Sequence, residues 1–418
     1  MKNLVRKFIP SFLLSWYHLA FSFLGATLYR FPSNKLIVIG ITGTNGKSTV
    51  VDLTTQILEG AGYKTASLSS VRFKIGNKEW KNDLKMTMPG RIKLQKFLRN
   101  AVDKNCKYAV VEVTSEGIKQ HRHRFIDFNI VLITNLTPEH IESHGSFERY
   151  KKAKAELFKN HKNVSIVNLD DSNSEYFLQF PAQEKYGYSL KQVQDSKIKI
   201  IIAQNVEVLD NGIVFSVDSI KFNLNLLGKF NIYNSLAAIC VALSQGINLK
   251  TCKNALEKVK GSSGRMEKVV SSPFNVIVDY AHTPDALSKV YKVLDKEDSK
   301  LICVLGSAGG GRDKWKRPEL GKIASIHCDK IILTNEDPYD ENPAKILFEI
   351  KTGIPGVVEK ILNRREAIKK ALSLAKEKDT VVITGKGCEP WMCVEKGKKI
   401  PWDDREVVKE ELNKLLTK

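Results

Sequence analysis

The cysteines of this sequence form neither a C-x-x-C pair nor a Cys/His cluster at zinc-ligand spacing. There are seven of them, an odd number, scattered between residues 106 and 393. This pattern argues against a disulfide framework and a structural zinc, and it is typical of buried, reduced thiols in a cytoplasmic protein. The chain also lacks internal repeats and low-complexity linkers. Its function must therefore be sought in other residues.

Length and composition exclude a single small module and a disordered chain. The sequence has 418 residues, of which 42% are hydrophobic. Its 66 Lys and Arg against 46 Asp and Glu give a formal charge of +20, which predicts an anionic partner such as nucleic acid, a lipid surface or a phosphorylated substrate. Basic and acidic residues are interspersed, and no nucleic-acid module motif is visible. A basic P-loop protein that binds nucleic acid is therefore the weaker alternative, and we expect no nucleic-acid partner.

Residues 8–29 form an apolar segment without a charged side chain, flanked on both sides by basic residues: Lys2, Arg6, Lys7, Arg30 and Lys35. The segment is long enough to span a bilayer. Its small and polar residues share one narrow helical stripe, formed by Ser11, Ser15, His18, Ser22, Gly25 and Tyr29. Such a stripe disfavours a spanning helix. Three alternatives stay open, namely a packing helix, a transmembrane anchor and a helix on the membrane surface, and we expect the last.

After residue 35, strand-like runs alternate with helical stretches, which predicts an α/β fold with parallel sheets. The first unit is a strand over Leu36–Ile39 that ends at Gly40, followed by a helix over Lys47–Leu58. Further buried strands are predicted at 108–113, 130–134, 276–279, 301–305, 331–334 and 381–384. Residues 197–227 show short alternating apolar runs around a turn signal at 210–212, which predicts a small antiparallel excursion.

A glycine-rich loop at residues 40–49 lies between the first predicted strand and helix. Such a loop presents backbone N–H groups to phosphates at a helix N-terminus, Lys47 can reach the outer phosphates, and Ser48 can bind Mg²⁺. The strict G-x-x-x-x-G-K-[ST] pattern fails, because its first glycine falls on Ile41. The flanking strand and helix support an ATP loop made of Gly43, Thr44, Asn45, Gly46, Lys47, Ser48 and Thr49.

Polar clusters follow six of the predicted strands, at 112–115, 135–140, 279–282, 306–313, 335–338 and 385–389. Ligands bind at the carboxyl ends of strands in open α/β sheets. We therefore expect two sheets whose strand ends face one another across a cleft, with nucleotide on one wall and a second substrate on the other. Any one of these loops alone would be a solvated turn.

These residues resemble the Mur ligase family, and within it the branch that adds a diamino acid to the peptidoglycan stem peptide. The resemblance runs from Leu36 to the C-terminus and rests on TGTNGKST at 42–49, EVTS at 112–115, TNLTPEH at 134–140, YKKAKAELF at 150–158, LGKFNIYNSLAA at 227–238, GRME at 264–267, VDYAHTPDA at 278–286, GGGRDKWKRP at 309–318 and GKGCE at 385–389. It implies a central P-loop ATPase-type domain over 34–264 and a Rossmann-like domain over 265–418, after an apolar helical segment over 1–33.

The resemblance implies an ATP-dependent amide ligation. A muramoyl-peptide carboxylate attacks the γ-phosphate, and the amine of a free amino acid attacks the resulting acyl phosphate. The implied cofactors are ATP, Mg²⁺ and a CO₂-derived carbamate on Lys154, a residue that composition alone would place on a solvated helix face. The implied location is cytoplasmic, at the inner face of the membrane, and the oligomeric state stays open.

The residue roles follow the family motifs. The implied catalytic residues are Lys47, Lys154, His140 and Arg265. Nucleotide contacts beyond the loop are implied for Asn231, Asn234, Arg265 and Asp279. The implied metal ligands are Ser48, Glu112, His140 and the carbamate of Lys154. Acceptor contacts are implied for Thr87, Thr114, Ser115 and Arg122, and amino-acid contacts for Arg312, Asp337, Tyr339, Gly385 and Glu389.

Several positions depart from the family pattern. Glu139 stands where Asp is usual, Glu116 where His is usual, and Cys388 replaces the His of G-K-G-H-E. Tyr339 stands where the diaminopimelate-specific enzymes carry an Arg that clamps the second carboxylate, which predicts lysine, ornithine or a neutral amino acid as the amine donor.

The family's UDP-binding domain would need about a hundred residues ahead of the ATP loop, where this sequence has 40. We expect that domain to be lacking. The nucleotide-sugar handle is then unrecognised, recognised elsewhere, or replaced by something that the apolar helix senses. A lipid-linked muramoyl peptide or a folate-like carboxylate is the alternative acceptor.

Overall fold

The computed structural model describes residues 10–84, 86–159, 161 and 163–417. The chain divides into two compact units. The first comprises residues 1–138, 147–225 and 229–259, and the second comprises residues 139–146, 226–228 and 260–418. Each unit has its own sheet and its own hydrophobic core.

Within the described residues, the first unit is built on a sheet of nine strands: β1 (Ile37–Thr42), β2 (Thr65–Leu68), β3 (Arg72–Ile75), β4 (Lys78–Lys81), β5 (Tyr108–Glu112), β6 (Ile130–Ile133), β7 (Val164–Asn168), β8 (Glu184–Ser189) and β9 (Lys199–Ile202). Their order is β4-β3-β2-β5-β1-β6-β7-β8-β9. All pairings from β2 to β9 are parallel, and β3 and β4 extend one edge in antiparallel fashion. The parallel sheet is thus confirmed, with an antiparallel edge that the sequence did not predict.

The predicted antiparallel excursion is also present. It is a three-stranded sheet of β10 (Gln204–Leu209), β11 (Gly212–Val217) and β12 (Ile220–Leu224). The predicted turn at 210–212 joins β10 to β11, whose ends pair at Leu209 and Gly212. Residues 199–202 form β9 of the main sheet instead, so the excursion begins at Gln204, seven residues after the predicted start at residue 197.

The first unit's helices are α1 (Ser11–Leu28), α2 (Lys47–Gly60), α3 (Arg91–Asp103), α4 (Ser115–Lys119), α6 (Phe147–Lys159), α7 (Ser174–Leu178), α8 (Phe230–Ser244) and α9 (Leu249–Leu256), while α5 (Ile141–His144) belongs to the second unit. In α2, Val50, Leu53 and Ile57 are fully buried at the helical period that predicted this helix. The prediction over Lys47–Leu58 is therefore confirmed.

The prediction that the first strand ends at Gly40 is wrong, because β1 continues to Thr42. A Cβ atom at position 40 would lie 2.7 Å from Cδ1 of Phe128. The glycine therefore serves close packing beneath an aromatic ring inside the strand, and it does not mark a turn. As a result, the phosphate loop begins at Gly43.

Within the described residues, the second unit has a six-stranded sheet in the order β13-β14-β18-β15-β16-β17, made of β13 (Glu267–Val270), β14 (Asn275–Asp279), β15 (Leu301–Leu305), β16 (Lys330–Thr334), β17 (Glu359–Ile361) and β18 (Thr380–Thr384). Only β13 pairs in antiparallel fashion. A hairpin of β19 (Trp391–Cys393) and β20 (Lys399–Pro401) follows. The unit's other helices are α10 (Pro284–Leu294), α11 (Lys316–His327), α12 (Pro343–Lys351), α13 (Arg364–Leu374) and α14 (Asp404–Leu416).

The predicted apolar helix is α1, which packs against α3 in the first unit. A Cβ at Gly25 would lie 3.1 Å from Cα of Ile92, so the two helices approach closely there. The predicted residues Phe8 and Ile9, and the basic residues Lys2, Arg6 and Lys7, lie outside the described residues. In the described part of the chain, no helix has the length and apolarity to cross a membrane.

Candidate functional site

The loop between β1 and α2 depends on two glycines with positive φ. Gly43 has φ +141° and Gly46 has φ +82°, and both lie directly against neighbouring side chains. A Cβ at Gly43 would meet Oγ1 of Thr134 at 1.9 Å, and a Cβ at Gly46 would meet Oδ1 of Asn234 at 2.4 Å. Only glycine fits both positions. The loop thus leads directly into the N-terminus of α2, where helix N–H groups favour a phosphate.

Thr134 and Asn135 hold this loop in place. They follow β6, the strand that pairs with β1 in the sheet. Asn135 Oδ1 accepts a hydrogen bond from the backbone N–H of Asn45 at 2.9 Å, and its amide donates to the Asn45 carbonyl at 3.0 Å. The Thr134 hydroxyl also donates to that carbonyl, at 2.7 Å. These bonds fix the backbone before a ligand arrives, which lowers the ordering cost of binding.

Ser48 and Glu112 form a compact polar cluster in the first unit with Ser70. Ser48 Oγ donates to Glu112 Oε2 at 2.8 Å and lies 2.7 Å from the Ser70 hydroxyl, and the Ser70 N–H donates to the same carboxylate oxygen at 2.9 Å. Ser48 and Glu112 are buried. Mg²⁺ is usually held by one or two protein oxygens together with substrate phosphates, so a hydroxyl and a carboxylate beside a phosphate loop fit this ion.

Two lysine amines lie against the phosphate loop. Lys47 Nζ donates to the Thr44 carbonyl at 2.8 Å, and Lys154 Nζ donates to the Gly43 carbonyl at 2.7 Å. Lys154 is almost fully buried in α6, with its amine 4.6 Å from the centre of the Tyr150 ring. A solvated helix face is therefore wrong for Lys154, because the helix turns this residue toward the loop.

The two predicted asparagines of α8 are buried next to each other. Asn234 donates to Asn231 through a 2.8 Å hydrogen bond between their side chains. Since Asn234 also lies against Gly46, the pair is placed at the helix end of the phosphate loop. Thr49 is buried in the first turn of α2, three residues after Gly46, and its role at the nucleotide stays a prediction.

Arg122 is a buried guanidinium with incomplete hydrogen bonding. It donates to Gln120 Oε1 at 2.7 Å and to the Met88 carbonyl, while its Nε finds no partner among the described residues. Burial, aided by the nearby Arg91 charge, lowers the pKa of Arg122 to about 10. An anionic ligand would relieve both the missing bond and the desolvation of the charge. This geometry suits the carboxylate of an acceptor.

The other predicted acceptor residues are less informative. The Thr114 hydroxyl accepts from the Gly117 N–H at 3.1 Å and caps α4, which is a structural role. Ser115 is buried at the first position of α4, and Thr87 is half-buried next to Met88. Their contacts with an acceptor stay predictions.

In the second unit, Asp279 ends β14 and accepts two backbone N–H bonds, from Met266 at 2.7 Å and from Ala281 at 2.6 Å. Burial raises the pKa of Asp279, against the opposing charge of Arg265. The Arg265 guanidinium stacks over the Tyr280 ring at 4.3 Å. Arg265 and Asp279 are therefore close to each other, as their shared role predicts.

His140 and Glu139 belong to the second unit, whereas Ser48, Glu112 and Lys154 belong to the first. Glu139 Oε1 lies 3.1 Å from Nε2 of His282, and Glu139 Oε2 lies 3.7 Å from Nε2 of His140. Although burial raises the pKa of Glu139, these two histidines outweigh it and hold that pKa well below its ordinary value. No group of three or more His, Cys, Asp or Glu side chains arranged for a metal occurs in the described ranges. The predicted ligand role of His140 thus stays a prediction.

The predicted amino-acid residues meet around a lysine that the sequence did not single out. Lys386 Nζ is fully buried and donates to Asp337 Oδ1 at 2.9 Å and to Glu389. Burial would lower the pKa of Lys386, but the two carboxylates outweigh it and raise that pKa. The Tyr280 hydroxyl donates to the other Glu389 oxygen at 3.1 Å. A carboxylate cluster of this kind can receive a cationic amine.

Tyr339 lies beside the second cationic residue of this cluster, Arg312. The two side chains are hydrogen-bonded, and a Cβ at Gly310 would lie 2.7 Å from the Tyr339 ring. Burial raises the pKa of Tyr339 to about 12, so its hydroxyl is neutral at physiological pH. Gly385, with φ +104°, lies against the buried Glu336, whose Oε2 would be 2.4 Å from a Cβ there.

Ser70 was missed by the sequence analysis, although it follows the end of β2. Glu336 and Lys386 follow β16 and β18 and lie in the predicted strand-end clusters 335–338 and 385–389, but neither was given a role. The rule that polar residues at strand ends bind ligands would also have found Ser70. Ser70 was missed because β2 was not predicted as a strand.

Comparison with protein families places both units. The model of the Mur ligase middle domain matches residues 41–242, and that of the Mur ligase glutamate ligase domain matches residues 264–387.

Named relatives span most of the chain. UDP-N-acetylmuramoyl-L-alanyl-D-glutamate–2,6-diaminopimelate ligase of Clostridium tetani is 38% identical over 396 residues, which are 93% of this chain and 80% of that protein. The enzyme of the same name from Aquifex aeolicus is 40% identical over 398 residues, 93% of this chain and 80% of that protein. UDP-N-acetylmuramyl-tripeptide synthetase of a Roseiflexus species is 35% identical over 421 residues, covering 94% and 81%.

Solved structures agree with the fold. The structure of a UDP-N-acetylmuramoyl-L-alanyl-D-glutamate–2,6-diaminopimelate ligase matches with a TM-score of 0.61 at 30% identity, covering 91% of this chain and 79% of that one. Folylpolyglutamate synthase of Mycobacterium tuberculosis matches with a TM-score of 0.70 at 19% identity, covering 88% and 92%, which supports the fold alone.

Proposed function

Because the chain belongs to the Mur ligase family of ATP-dependent ligases, we propose that it joins an amino acid to a muramoyl-peptide carboxylate in peptidoglycan precursor synthesis. The observation that carries this proposal is the buried Ser48–Glu112 pair beside the Gly43–Ser48 loop, which suits ATP with Mg²⁺. The domain limits 34–264 and 265–418 are part of the same proposal.

The reaction requires three groups of residues. In the first unit, Lys47 would neutralise charge on the phosphoryl group during transfer, Ser48 and Glu112 would hold Mg²⁺, and Arg122 would hold an acceptor carboxylate. Arg265 and His140, of the second unit, keep the roles that the family motifs imply for them, at the phosphoryl group and as a metal ligand. Magnesium would stabilise phosphate charge in the loop when bound. Catalysis of phosphoryl transfer comes almost entirely from positioning the reactants and neutralising charge, because the protein takes little part in the covalent chemistry. The buried Arg122 with its unsatisfied Nε supports the acceptor role.

We propose that CO₂ modifies Lys154. In this step the neutral amine attacks CO₂, an N–C bond forms, and a proton leaves to solvent, which gives an N-carboxylate. The burial of Lys154 and its 2.7 Å bond to the Gly43 carbonyl support the proposal, because an amine in this position is desolvated and adjacent to the phosphate loop. The carboxylate would add an anionic oxygen ligand for a second Mg²⁺.

The amine donor is proposed to be a diamino acid with one carboxylate, such as lysine or ornithine. Glu389 and Asp337 supply negative charge for its side-chain amine, and Arg312 supplies positive charge for its α-carboxylate. Tyr339 has no charge to pair with the second carboxylate of diaminopimelate, and leaving such a group unpaired costs about 1–3 kcal/mol. The relatives' names, which specify diaminopimelate, provide the competing expectation.

We further propose that the enzyme works in the cytoplasm, at the inner face of the membrane. ATP is available on that side. The exposed apolar side chains of α1, which include Trp16, support association with a membrane surface.

An isotope-transfer experiment tests the proposed chemistry. Muramoyl-Ala-Glu labelled with ¹⁸O in its reacting carboxylate is incubated with ATP, Mg²⁺ and lysine, and the released phosphate is measured by mass spectrometry. An acyl phosphate route transfers one labelled oxygen to phosphate and leaves the other in the amide. Unlabelled phosphate released together with amide product would contradict the acyl phosphate, and phosphate release without amide would contradict the ligase assignment.

A further inference from the structure

The first helix displays a wide apolar face. Eight large side chains on it are exposed, namely Phe12, Leu13, Trp16, Tyr17, Phe21, Phe23, Leu24 and Leu28, and Trp16 is 69% exposed. They lie within a single helix of 18 residues, roughly 27 Å long at 1.5 Å per residue. A contiguous apolar surface of this kind marks an interaction or membrane site, whereas single exposed apolar residues do not.

The opposite face of α1 is bound to the first unit. Ser15 Oγ lies 2.8 Å from Nε2 of His121, and Ser22 Oγ donates to the His121 carbonyl at 2.7 Å. His18 is buried and hydrogen-bonded to Arg91. The predicted polar stripe is therefore used within the unit. Its contacts fix the rotation of the helix, so that the apolar face points away from the body of the first unit.

Basic residues border this face, and the exposed Asp103 at the end of α3 lies near one of them, Lys35. The first acidic residue of the sequence is Asp52, while Lys or Arg occupies five positions between residues 1 and 35. Arg30 and Lys35 are exposed at the end of α1, and α3 adds the exposed Lys93 and Lys96. An aromatic face bordered by cations is complementary to an anionic lipid surface, where Trp and Tyr rings accumulate and each nearby cation adds about 1 kcal/mol.

The same helix supports the residue next to the acceptor anchor. His121, which Ser15 and Ser22 contact, directly precedes Arg122 in the chain and has φ +56°. Burial lowers the pKa of His121, so its ring is mainly neutral and can share a hydrogen bond with the Ser15 hydroxyl. The position of the Arg122 backbone thus depends on α1.

We propose that α1 lies on an anionic phospholipid bilayer through its apolar face, and that its polar stripe holds His121 and Arg122 where an acceptor carried on that bilayer reaches them. This inference rests on the proposed function, because it takes Arg122 as the anchor of the acceptor carboxylate. It adds the source of the acceptor, which is the bilayer surface rather than free solution.

Flotation of the full chain with vesicles tests the docking surface. The vesicles are phosphatidylcholine with or without phosphatidylglycerol. The chain should float with the anionic vesicles, and the Phe12→Ser/Trp16→Ser variant should bind at least about tenfold more weakly, since each side chain forfeits apolar burial. Phe348→Ser is the matched control, because Phe348 is 63% exposed on a helix of the other unit, and it should float like the unchanged chain. Equal flotation of the unchanged chain and the double variant would overturn the proposal.

A second measurement tests other occupants of this face. If the face instead binds a second copy of the chain, sedimentation without lipid would show a dimer that the double variant converts to a monomer, and this result would overturn the bilayer proposal. A sedimentation mass that is the same for both proteins supports it. Flotation unaffected by removing phosphatidylglycerol would contradict the role given to charge.

Activity separates this inference from the proposed function. ADP release is measured with muramoyl-Ala-Glu free in solution and with the same dipeptide tethered to a lipid in anionic vesicles. The double variant should match the unchanged chain on the free acceptor and be about tenfold slower on the tethered one. Equal loss on both would refute the link to the bilayer. No ADP release by the unchanged chain on either would refute the proposed function, while flotation would still decide the docking.

Discussion

A substitution of Gly46 tests the geometry of the phosphate loop, because the chain provides a matched control at Gly62. Both glycines have nearly the same backbone conformation, with φ +82° and +86°. Alanine at either position should pay the same left-handed strain, about 1–2 kcal/mol. The surroundings differ: a Cβ at Gly46 would lie 2.4 Å from Oδ1 of Asn234, and a Cβ at Gly62 would meet no heavy atom within 4 Å.

The difference between the two variants therefore isolates the contact with Asn234. Gly62→Ala should lower the free energy of unfolding and leave nucleotide binding unchanged. Gly46→Ala must displace Asn234, which is bonded to Asn231, so the loss of that bond adds about 1 kcal/mol to the strain. We expect ATP to bind at least tenfold more weakly. Urea unfolding and titration calorimetry with ATP measure the two effects. Equal ATP affinity in both variants would refute the placement of Asn234 at the loop.

Three further predictions concern the other clusters. Tyr339→Arg should raise the ratio of kcat/KM for meso-diaminopimelate to kcat/KM for lysine about tenfold, which is the low end for a charged hydrogen bond in a half-buried site. Tyr339→Phe is the control. An unchanged ratio in the Arg variant would contradict the idea that an arginine at this position binds the second carboxylate. Lys154→Ala should lose nearly all activity and regain part of it with short carboxylic acids, whereas full activity without them would end the carbamate proposal. Glu139→Gln should destabilise the protein by about 1–3 kcal/mol at pH 7. Since the folded pKa of Glu139 is held below its ordinary 4.5, its stabilisation is present above that pH and fades as the pH falls, so urea midpoints of variant and unchanged chain should converge in acid. Midpoints that stay equally far apart at pH 3 would contradict this.

The sequence predicted the parts of the fold that depend on local patterns. Strand runs such as 301–305 are buried on both faces of a parallel sheet, and they read as continuous apolar stretches. The helix after the phosphate loop was predicted equally well, because its apolar residues recur at the spacing of an α-helix. Gly40 was misjudged because a glycine that ends a strand and a glycine beneath the Phe128 ring look identical in sequence.

For the candidate site, the sequence predicted some of the residues that lie together but not how they are buried or paired. Family motifs and strand ends placed Ser48 and Glu112, which the fold brings to within a hydrogen bond. Burial of Lys154 could not be derived from a helix rich in lysine, because only the packing of α6 on the loop decides which lysine turns inward. Nor could the sequence show that Lys386 lies between the carboxylates of Asp337 and Glu389. Glu389 is three residues from Lys386 in the chain, but Asp337 is 49 residues away, and only the fold brings it to the lysine.

The most direct test of the proposed function is ADP release over a matrix of acceptors and amines. The unchanged chain is assayed with Mg²⁺ and ATP on muramoyl-Ala-Glu and on a folate acceptor, each with lysine, ornithine, meso-diaminopimelate or no amine. We expect ADP release only when the muramoyl acceptor and an amine are both present, with higher kcat/KM for lysine or ornithine than for meso-diaminopimelate. ADP release that depends on folate, or that ignores the acceptor, would contradict a muramoyl-peptide ligase.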